Sequence, residues 1–231
     1  MKVDKSASTL TSMFNSLARY YDLMNDVMTF FTHRHTKEIA AQLSGFKVNE
    51  RALDLATGTG DLALLLRKKS QGTVIGTDLS EKMLSIAIKK SQTIEKEISF
   101  ALADINNLPF SDETFDVCMI GFGIRNVHNP LNTMKEVARI TKNRGRFVIL
   151  EATPPTNCYV RFLGLFYFRK LAPLLAKAFL LNSKAYNYLA ESISQFPKAS
   201  DFSKIIKQAG WKRVYYYPLY LGLVTIFLAI K

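Results

Sequence analysis

Leu53-Asp54-Leu55-Ala56-Thr57-Gly58-Thr59-Gly60-Asp61 is the stretch from which the rest of the chain can be read. An apolar run ends in a carboxylate, small residues turn the chain, and Leu62-Ala63-Leu64-Leu65-Leu66 opens a helical pattern. The reading is strand, tight turn, helix. Gly58 and Gly60 remove side chains where the backbone must come close to a ligand. The stretch is not a P-loop, because no Gly-Lys-Ser/Thr closes it. Nor is it the full dinucleotide fingerprint, because Leu62 and Ala63 stand where the third glycine should fall.

Working outward, Val74-Ile75-Gly76-Thr77-Asp78 reads as the next strand and ends in an acid twenty residues after Gly58. An acid there can accept both ribose hydroxyls of a nucleoside, and Leu79 lies beside it. Ile98 to Leu102 reads as a further strand running into Ala103-Asp104-Ile105. Asp104 can take the exocyclic amine of adenine while Ile105 supplies an apolar wall. Either acid alone reads more readily as a solvated loop residue or a helix cap. Two of them at successive strand ends after a glycine turn point to a nucleoside site.

Strands are expected at 51–55, 73–77, 98–102, 115–120 and 146–151, with helical patterns between them. Such alternation argues a mostly parallel sheet with helices on both faces. Cys118 falls in a buried run and reads as an inert core thiol. Gly121-Phe122-Gly123-Ile124-Arg125-Asn126-Val127-His128 follows a strand end, where open α/β sheets bind their ligands. A helix is expected over 130–142, stopped near Asn143-Arg144-Gly145. Residues 200–209 read as a helix, and 211–217 and 224–230 as closing strands that would add an antiparallel hairpin.

Composition bounds these readings. With 231 residues, 48% hydrophobic and 22% charged, the chain can bury a full core, which excludes a disordered polymer. Two separated cysteines fit a reducing compartment, and no signal peptide is evident. The net charge of +12 favours polyanions, an anionic membrane or nucleic acid; its dispersal weakens the nucleic-acid case. Residues 159–181 are apolar and aromatic, yet Arg161, Arg169, Lys170 and Lys177 interrupt them and Pro173 breaks them. An interfacial or substrate-covering helix pair is expected there rather than a membrane span, with an ordinary core helix as the alternative. Residues 1–12 read as a frayed polar leader. Met13 to Asp26 reads as a helical lid with Tyr21 and Asp22 turned into the site. His33 and His35, just before a helix at 36–44, have strand-like chelating spacing but no third ligand, so no metal is expected.

The glycine turn resembles the first motif of S-adenosylmethionine (SAM)-dependent methyltransferases. Together with Tyr21-Asp22-Leu23-Met24-Asn25-Asp26, Leu108-Pro109-Phe110, Phe122-Gly123-Ile124-Arg125-Asn126-Val127 and Tyr188-Leu189-Ala190-Glu191-Ser192-Ile193, followed by Phe196-Pro197, it resembles the menaquinone/ubiquinone-biosynthesis C-methyltransferases. The resemblance runs from about Phe14 to about Trp211. Thr57 stands where the family usually has glycine, Gly121 where serine is common, and Asn143-Arg144-Gly145 replaces Pro-Gly-Gly. The segment Leu221 to Ile226 lacks the usual Gly-Gly-Ile-Val-Ala-Leu-His ending.

The resemblance implies a seven-stranded class I methyltransferase sheet of α/β, Rossmann-like type. SAM would be the methyl donor, and a demethylated polyprenyl quinol, methylated on a ring carbon, the acceptor. Cofactor contacts are expected at Asp54, Gly58, Thr59, Gly60, Asp78, Leu79, Asp104, Ile105 and Gly121. Arg125, Asn126, Tyr21 and Asp22 are expected to orient or activate the quinol, with His128 beside them. Arg125 fits a cation that stabilises a developing phenolate, or else a structural ion pair with Glu151. The chain is expected to form one methyltransferase domain: a lid at 1–45, a cofactor core at 46–151, a substrate-covering insertion at 152–200 and a closing helix and hairpin at 201–231. It is expected in the cytoplasm, in peripheral contact with the anionic inner face of the membrane, without nucleic acid, and with a homodimer left open. Rival readings are methylation of another small apolar molecule, or a basic RNA- or membrane-binding relative without activity.

Overall fold

The fold is seen in a computed structural model that describes residues 5–94, 97–171 and 183–231. The described residues form a seven-stranded sheet of order β3-β2-β1-β4-β5-β7-β6. Its strands are β1 (Arg51–Leu55), β2 (Thr73–Asp78), β3 (Ser99–Leu102), β4 (Phe115–Gly121), β5 (Thr141–Ala152), β6 (Arg213–Leu219) and β7 (Val224–Ile230). The first five pair in parallel, and β7 pairs antiparallel with both β5 and β6. Pro218 lies in β6, an edge strand, where a missing N–H costs no ladder bond.

Side-chain alternation assigns the two faces. Leu53, Leu55, Cys118, Ile120, Phe147 and Ile149 pack against α6 (Pro130–Ile140) and the helix Ala199–Gln208. Ala52, Val117, Met119, Val148 and Leu150 pack against α3 (Thr32–Leu43) and α4 (Asp61–Lys69) on the other side. A parallel sheet covered on both faces needs such continuous apolar strands. Cys118 is fully buried, and burial pushes its thiol up to about 12, as expected of an inert core cysteine.

Three expectations are corrected. Residues 7–12 are not a frayed leader: Ala7–Leu17 forms α1, with Leu10, Met13, Phe14 and Leu17 at helical spacing. A single 3-10 turn, Ala18–Tyr20, separates it from α2 (Tyr21–Thr29). His33 and His35 sit in α3 rather than before a helix, so they diverge. His33 is buried with Nε2 2.8 Å from Asp26 Oδ1, and His35 is exposed. Among the described residues no group of three or more His, Cys, Asp or Glu is placed to hold a metal ion. Finally, α6 ends at Ile140, and Thr141 already pairs with Phe115 before a register shift. The buried Thr141 hydroxyl stays on the helix, donating to Val137 O at 2.6 Å. Asn143-Arg144-Gly145 therefore lies inside β5 rather than at a helix stop, with Arg144 at φ +63°.

After β5, Asn157 caps α7 (Cys158–Phe166) by accepting from Tyr159 N and Val160 N. A π-helical turn, Tyr167–Leu171, follows, and α8 (Ser183–Ser194) and α9 (Ala199–Gln208) complete the helices used below. Of the expected 159–181 helix pair, residues 172–182, with Pro173 and Lys177, lie outside the described residues.

Candidate active site

A cavity of about 300 Å³ opens at the carboxyl ends of β1, β2 and β4, within the size range of small-molecule clefts. The turn after β1 makes its floor. Ala56 has φ +49°, Gly58 +57° and Gly60 +86°. At Gly60 an added Cβ would lie 2.9 Å from Ala87 Cβ, so α5 (Glu81–Ser91) packs directly on the glycine. Thr57 is not among the positive-φ residues, so glycine is not needed there. Its hydroxyl instead donates to Asp54 Oδ2 at 2.6 Å. The departure at Thr57 thus gains a bond and loses no turn geometry.

Asp54 lies beneath this turn, buried, with Oδ2 also accepting from Ala63 N at 3.0 Å. Its Oδ1 has no partner among the described residues, and burial raises the carboxyl to about 7. Asp78 ends β2 and lines the cavity. Its Oδ2 accepts from Gly58 N and its Oδ1 from Ser80 N, both at 2.8 Å, and burial raises its pKa above the usual carboxylate value. Leu79, Asp104 and Ile105 line the same wall, and Asp104 Oδ1 accepts from Asn106 N at 2.9 Å. Two carboxylates with spare acceptor positions between apolar side chains fit the hydroxyls and amine of a nucleoside. Gly121 lines the opposite side without adding a side chain.

Thr59, Gly60 and Asp54 support the floor rather than line the cavity. Thr59 Oγ1 donates to Asp22 Oδ1 at 2.6 Å and accepts from Lys90 Nζ at 3.0 Å. Lys90 reaches Asp61 at 2.8 Å, and Lys37 reaches the same carboxylate at 2.7 Å. Burial alone would raise Asp61, but the two ammonium groups override it and hold the carboxyl below its ordinary range. Asp22 also pairs with Lys90, so it belongs to this network and not to the cavity lining. The network ties α2, α3 and α5 to the glycine turn and leaves Tyr21 against the cavity, 3.9 Å from where a Gly58 Cβ would stand.

The far wall comes from the loop after β4. Ile124–Asn126 forms a 3-10 turn. Arg125 is buried: Nη1 donates to Glu151 Oε1 at 2.7 Å and to Phe122 O, and Glu151 Oε2 accepts from Arg125 N at 3.0 Å. Its Nε has no partner among the described residues. Glu151 is fully buried, so the expected ion pair exists, and it sits behind the cavity wall. Asn126, by contrast, lines the cavity, and its Oδ1 accepts from Tyr188 Oη at 3.0 Å, which docks α8 on the loop. His128 lies exposed at the rim.

The sequence reading did not single out Lys5, Leu10 and Thr11, which with Phe14 of the expected lid close the cavity from the N-terminal side. The helical spacing of Leu10, Met13, Phe14 and Leu17 is the signal that could have found α1; the surrounding serines and threonines mask it. Asn15 Oδ1 accepts from Ser80 Oγ at 2.6 Å, tying α1 to the start of α5.

A family model described as the ubiE/COQ5 methyltransferase family matches residues 1–231. A demethylmenaquinone methyltransferase of Chlorobaculum parvum is 37% identical over 98% of this chain and 94% of its own. A ubiquinone/menaquinone biosynthesis C-methyltransferase of Rickettsia felis is 38% identical over 100% and 96%. Among solved structures, a SAM-dependent methyltransferase of Thermotoga maritima superposes with TM-score 0.70 over 96% of this chain and 99% of its own, at 18% identity. A Haemonchus contortus phosphoethanolamine N-methyltransferase, solved with SAM, gives TM-score 0.65 over 85% of this chain and 52% of its own, at 16% identity. These structural likenesses carry the fold.

Proposed function

Because the chain belongs to the ubiE/COQ5 methyltransferase family, we propose that it methylates a ring carbon of a demethylated polyprenyl quinol, demethylmenaquinol first, with SAM as donor. The observation that carries this reading is the cavity itself. Two carboxylates, Asp78 and Asp104, line one side, and an apolar and amide wall of Phe122, Asn126 and Val127 lines the other. Asp78 would hold the ribose hydroxyls, and Asp104 with Ile105 the adenine. The donor, when bound, supplies a methyl group on a sulfonium. The protein's part is to align the acceptor carbon, exclude water and favour the electron-rich, deprotonated form of the quinol. Asn126, held by Tyr188, and Tyr21 would orient the quinol hydroxyls. Arg125 would add positive charge from behind the wall, partly offset by its pair with Glu151. Asp22, Thr59, Gly60 and Asp54 would act by holding the turn.

The same proposal includes the division into lid, core, cover and closing hairpin, a cytoplasmic site of action, and peripheral contact with an anionic membrane. Exposed Tyr159, Phe162, Leu163 and Phe166 on α7, near Arg161 and Lys170, support the membrane contact. Phe30 and Phe31 extend this surface: both are exposed and in the left-handed region, and the Phe30 ring lies 6.3 Å from that of Tyr167. Among the described residues no helix is long and apolar enough to cross a membrane.

The test is single-turnover methyl transfer from radiolabelled SAM to a short-chain demethylmenaquinol, paired with mass spectrometry of quinones from cells lacking the protein. Label on the quinol ring, and loss of the methylated quinone restored on complementation, are expected. No transfer to any quinol, with transfer to another apolar molecule, would overturn the acceptor class.

A further inference from the structure

The cavity holds one group that the reading above leaves without a task. Lys5 lies just before α1, half-buried, and lines the cavity beside Ala7, Leu10 and Phe14. Among the described residues that line the cavity it is the only lysine or arginine. Its ammonium forms no hydrogen bond or ion pair with any described residue. Glu151 and Arg125, at the β4–β5 side of the site, lie close enough to act on its charge. Lys5 thus lines the cavity within electrostatic reach of the wall of Phe122, Asn126 and Val127 that is assigned to the acceptor.

We infer that Lys5 is the base that takes the hydroxyl proton of the acceptor before methyl transfer; this rests on the quinol reading above. The other polar groups in and around the cavity are less suited. Glu151 is fully buried and committed to Arg125, and a guanidinium does not release its proton. Tyr21 and Tyr188 are phenols like the acceptor itself, and His128 is exposed at the rim. Asp78 and Asp104 line the nucleoside side of the cavity and are assigned to the donor. Burial lowers the Lys5 pKa from the ordinary lysine value; Arg125 lowers it further, and Glu151 opposes both. A lowered amine is unprotonated more of the time near neutral pH, the form that can take a proton.

The proton and electron count closes. The quinol O–H bond breaks and its proton joins the Lys5 amine, leaving a ring rich in electrons at the carbon beside the oxygen-bearing position. That carbon forms a C–C bond to the methyl group as the sulfonium S–C bond breaks, and that bond's pair stays on sulfur as a neutral thioether. The ring C–H proton then leaves to water, its pair restores aromaticity, and Lys5 returns its proton to the oxygen. One proton is released per methyl transferred.

The experiment compares the full chain with Lys5→Met and Lys5→Arg, each checked for fold by circular dichroism. Reductive methylation with ¹³C-formaldehyde gives an NMR signal for each lysine; the one missing in Lys5→Met is Lys5. It should titrate clearly below the ordinary lysine value of about 10.4. Single-turnover rates on the short-chain quinol should fall by about 10²–10⁴-fold in Lys5→Met, the range for losing a general base. They should also lose the wild-type rise with pH. Lys5→Arg should stay within about threefold of Lys5→Met, because a fixed cation cannot accept a proton. SAM affinity by calorimetry should change by less than about threefold, well short of the tenfold expected for a lost ionic contact. Ordinary titration of Lys5, near-normal turnover in either variant, or a SAM loss as large as the rate loss would overturn the inference. No quinol turnover in the unaltered protein, with Lys5 still titrating low, would overturn the quinol reading and keep the amine as proton acceptor for another acceptor.

Discussion

Asp78 and Asp54 end in similar carboxylates, and their surroundings give them different tasks. Asp78 accepts two backbone N–H groups and still borders the cavity. Asp78→Ala should weaken SAM binding at least tenfold, each charge-assisted hydrogen bond being worth about 1.5–3 kcal/mol. Calorimetry on a folded variant with unchanged affinity would remove the ribose assignment. Asp54 is raised to about 7 by burial, whereas an unfolded aspartate titrates near 3.9. Between these values the folded state holds a proton that the unfolded state has lost, so the Asp54 contribution to stability falls as pH rises. The loss begins near pH 4 and levels off above about pH 7, reaching about 4 kcal/mol at full extent. Asp54→Asn keeps an acceptor for Thr57 and Ala63 and removes the titration. It should flatten urea-derived stability across this window, and an unaltered slope would show that Asp54 stays ionised.

At the scale of elements, the Arg125–Glu151 pair joins the turn after β4 to the end of β5. Removing one partner leaves a buried charge unpaired, which costs about 3–5 kcal/mol. Arg125→Met should therefore lower the melting temperature strongly, and adding Glu151→Met should recover most of it. If the double variant regains stability and not turnover, the arginine charge acts in the reaction; recovery of both would make it a fold element alone. Arg144 tests strain in β5. Its φ of +63° suits glycine, and an L side chain there costs roughly 1–2 kcal/mol. Arg144→Gly gives back part of this in chain entropy, leaving a net gain of about 0.5–1 kcal/mol. Thermal unfolding that shows no gain would mean that the Arg144 side chain compensates for its backbone.

Over the whole molecule, charge and exposed aromatics act together. A net charge of +12 and the exposed α7 surface of Tyr159, Phe162, Leu163 and Phe166 support the proposed contact with an anionic bilayer. Binding to vesicles containing phosphatidylglycerol should exceed binding to neutral vesicles and should fall with salt. Phe162→Ser combined with Phe30→Ser should reduce the residual binding at high salt, where burial of aromatic surface outlasts screened charge. Equal partitioning to charged and neutral vesicles would leave the net charge without this role.

The strand positions, the glycine turn and the two acids Asp78 and Asp104 were legible in the sequence. Each rests on a local rule, such as apolar runs for doubly covered strands or carboxylates at parallel strand ends, that neighbours in the chain suffice to express. The family segments around Tyr21, Arg125 and Tyr188 were legible too, though not the division among them. The tertiary structure alone decided that Tyr21 and Asn126 meet the cavity, while Asp22 is drawn to Thr59 and Lys90 and Arg125 to Glu151. Those pairs join residues from 26 to 68 positions apart, and burial, which no local pattern encodes, selects them. The same holds for Lys5 and α1: a polar stretch becomes a cavity wall only when the end of β2 and the loop after β4 are there to receive it.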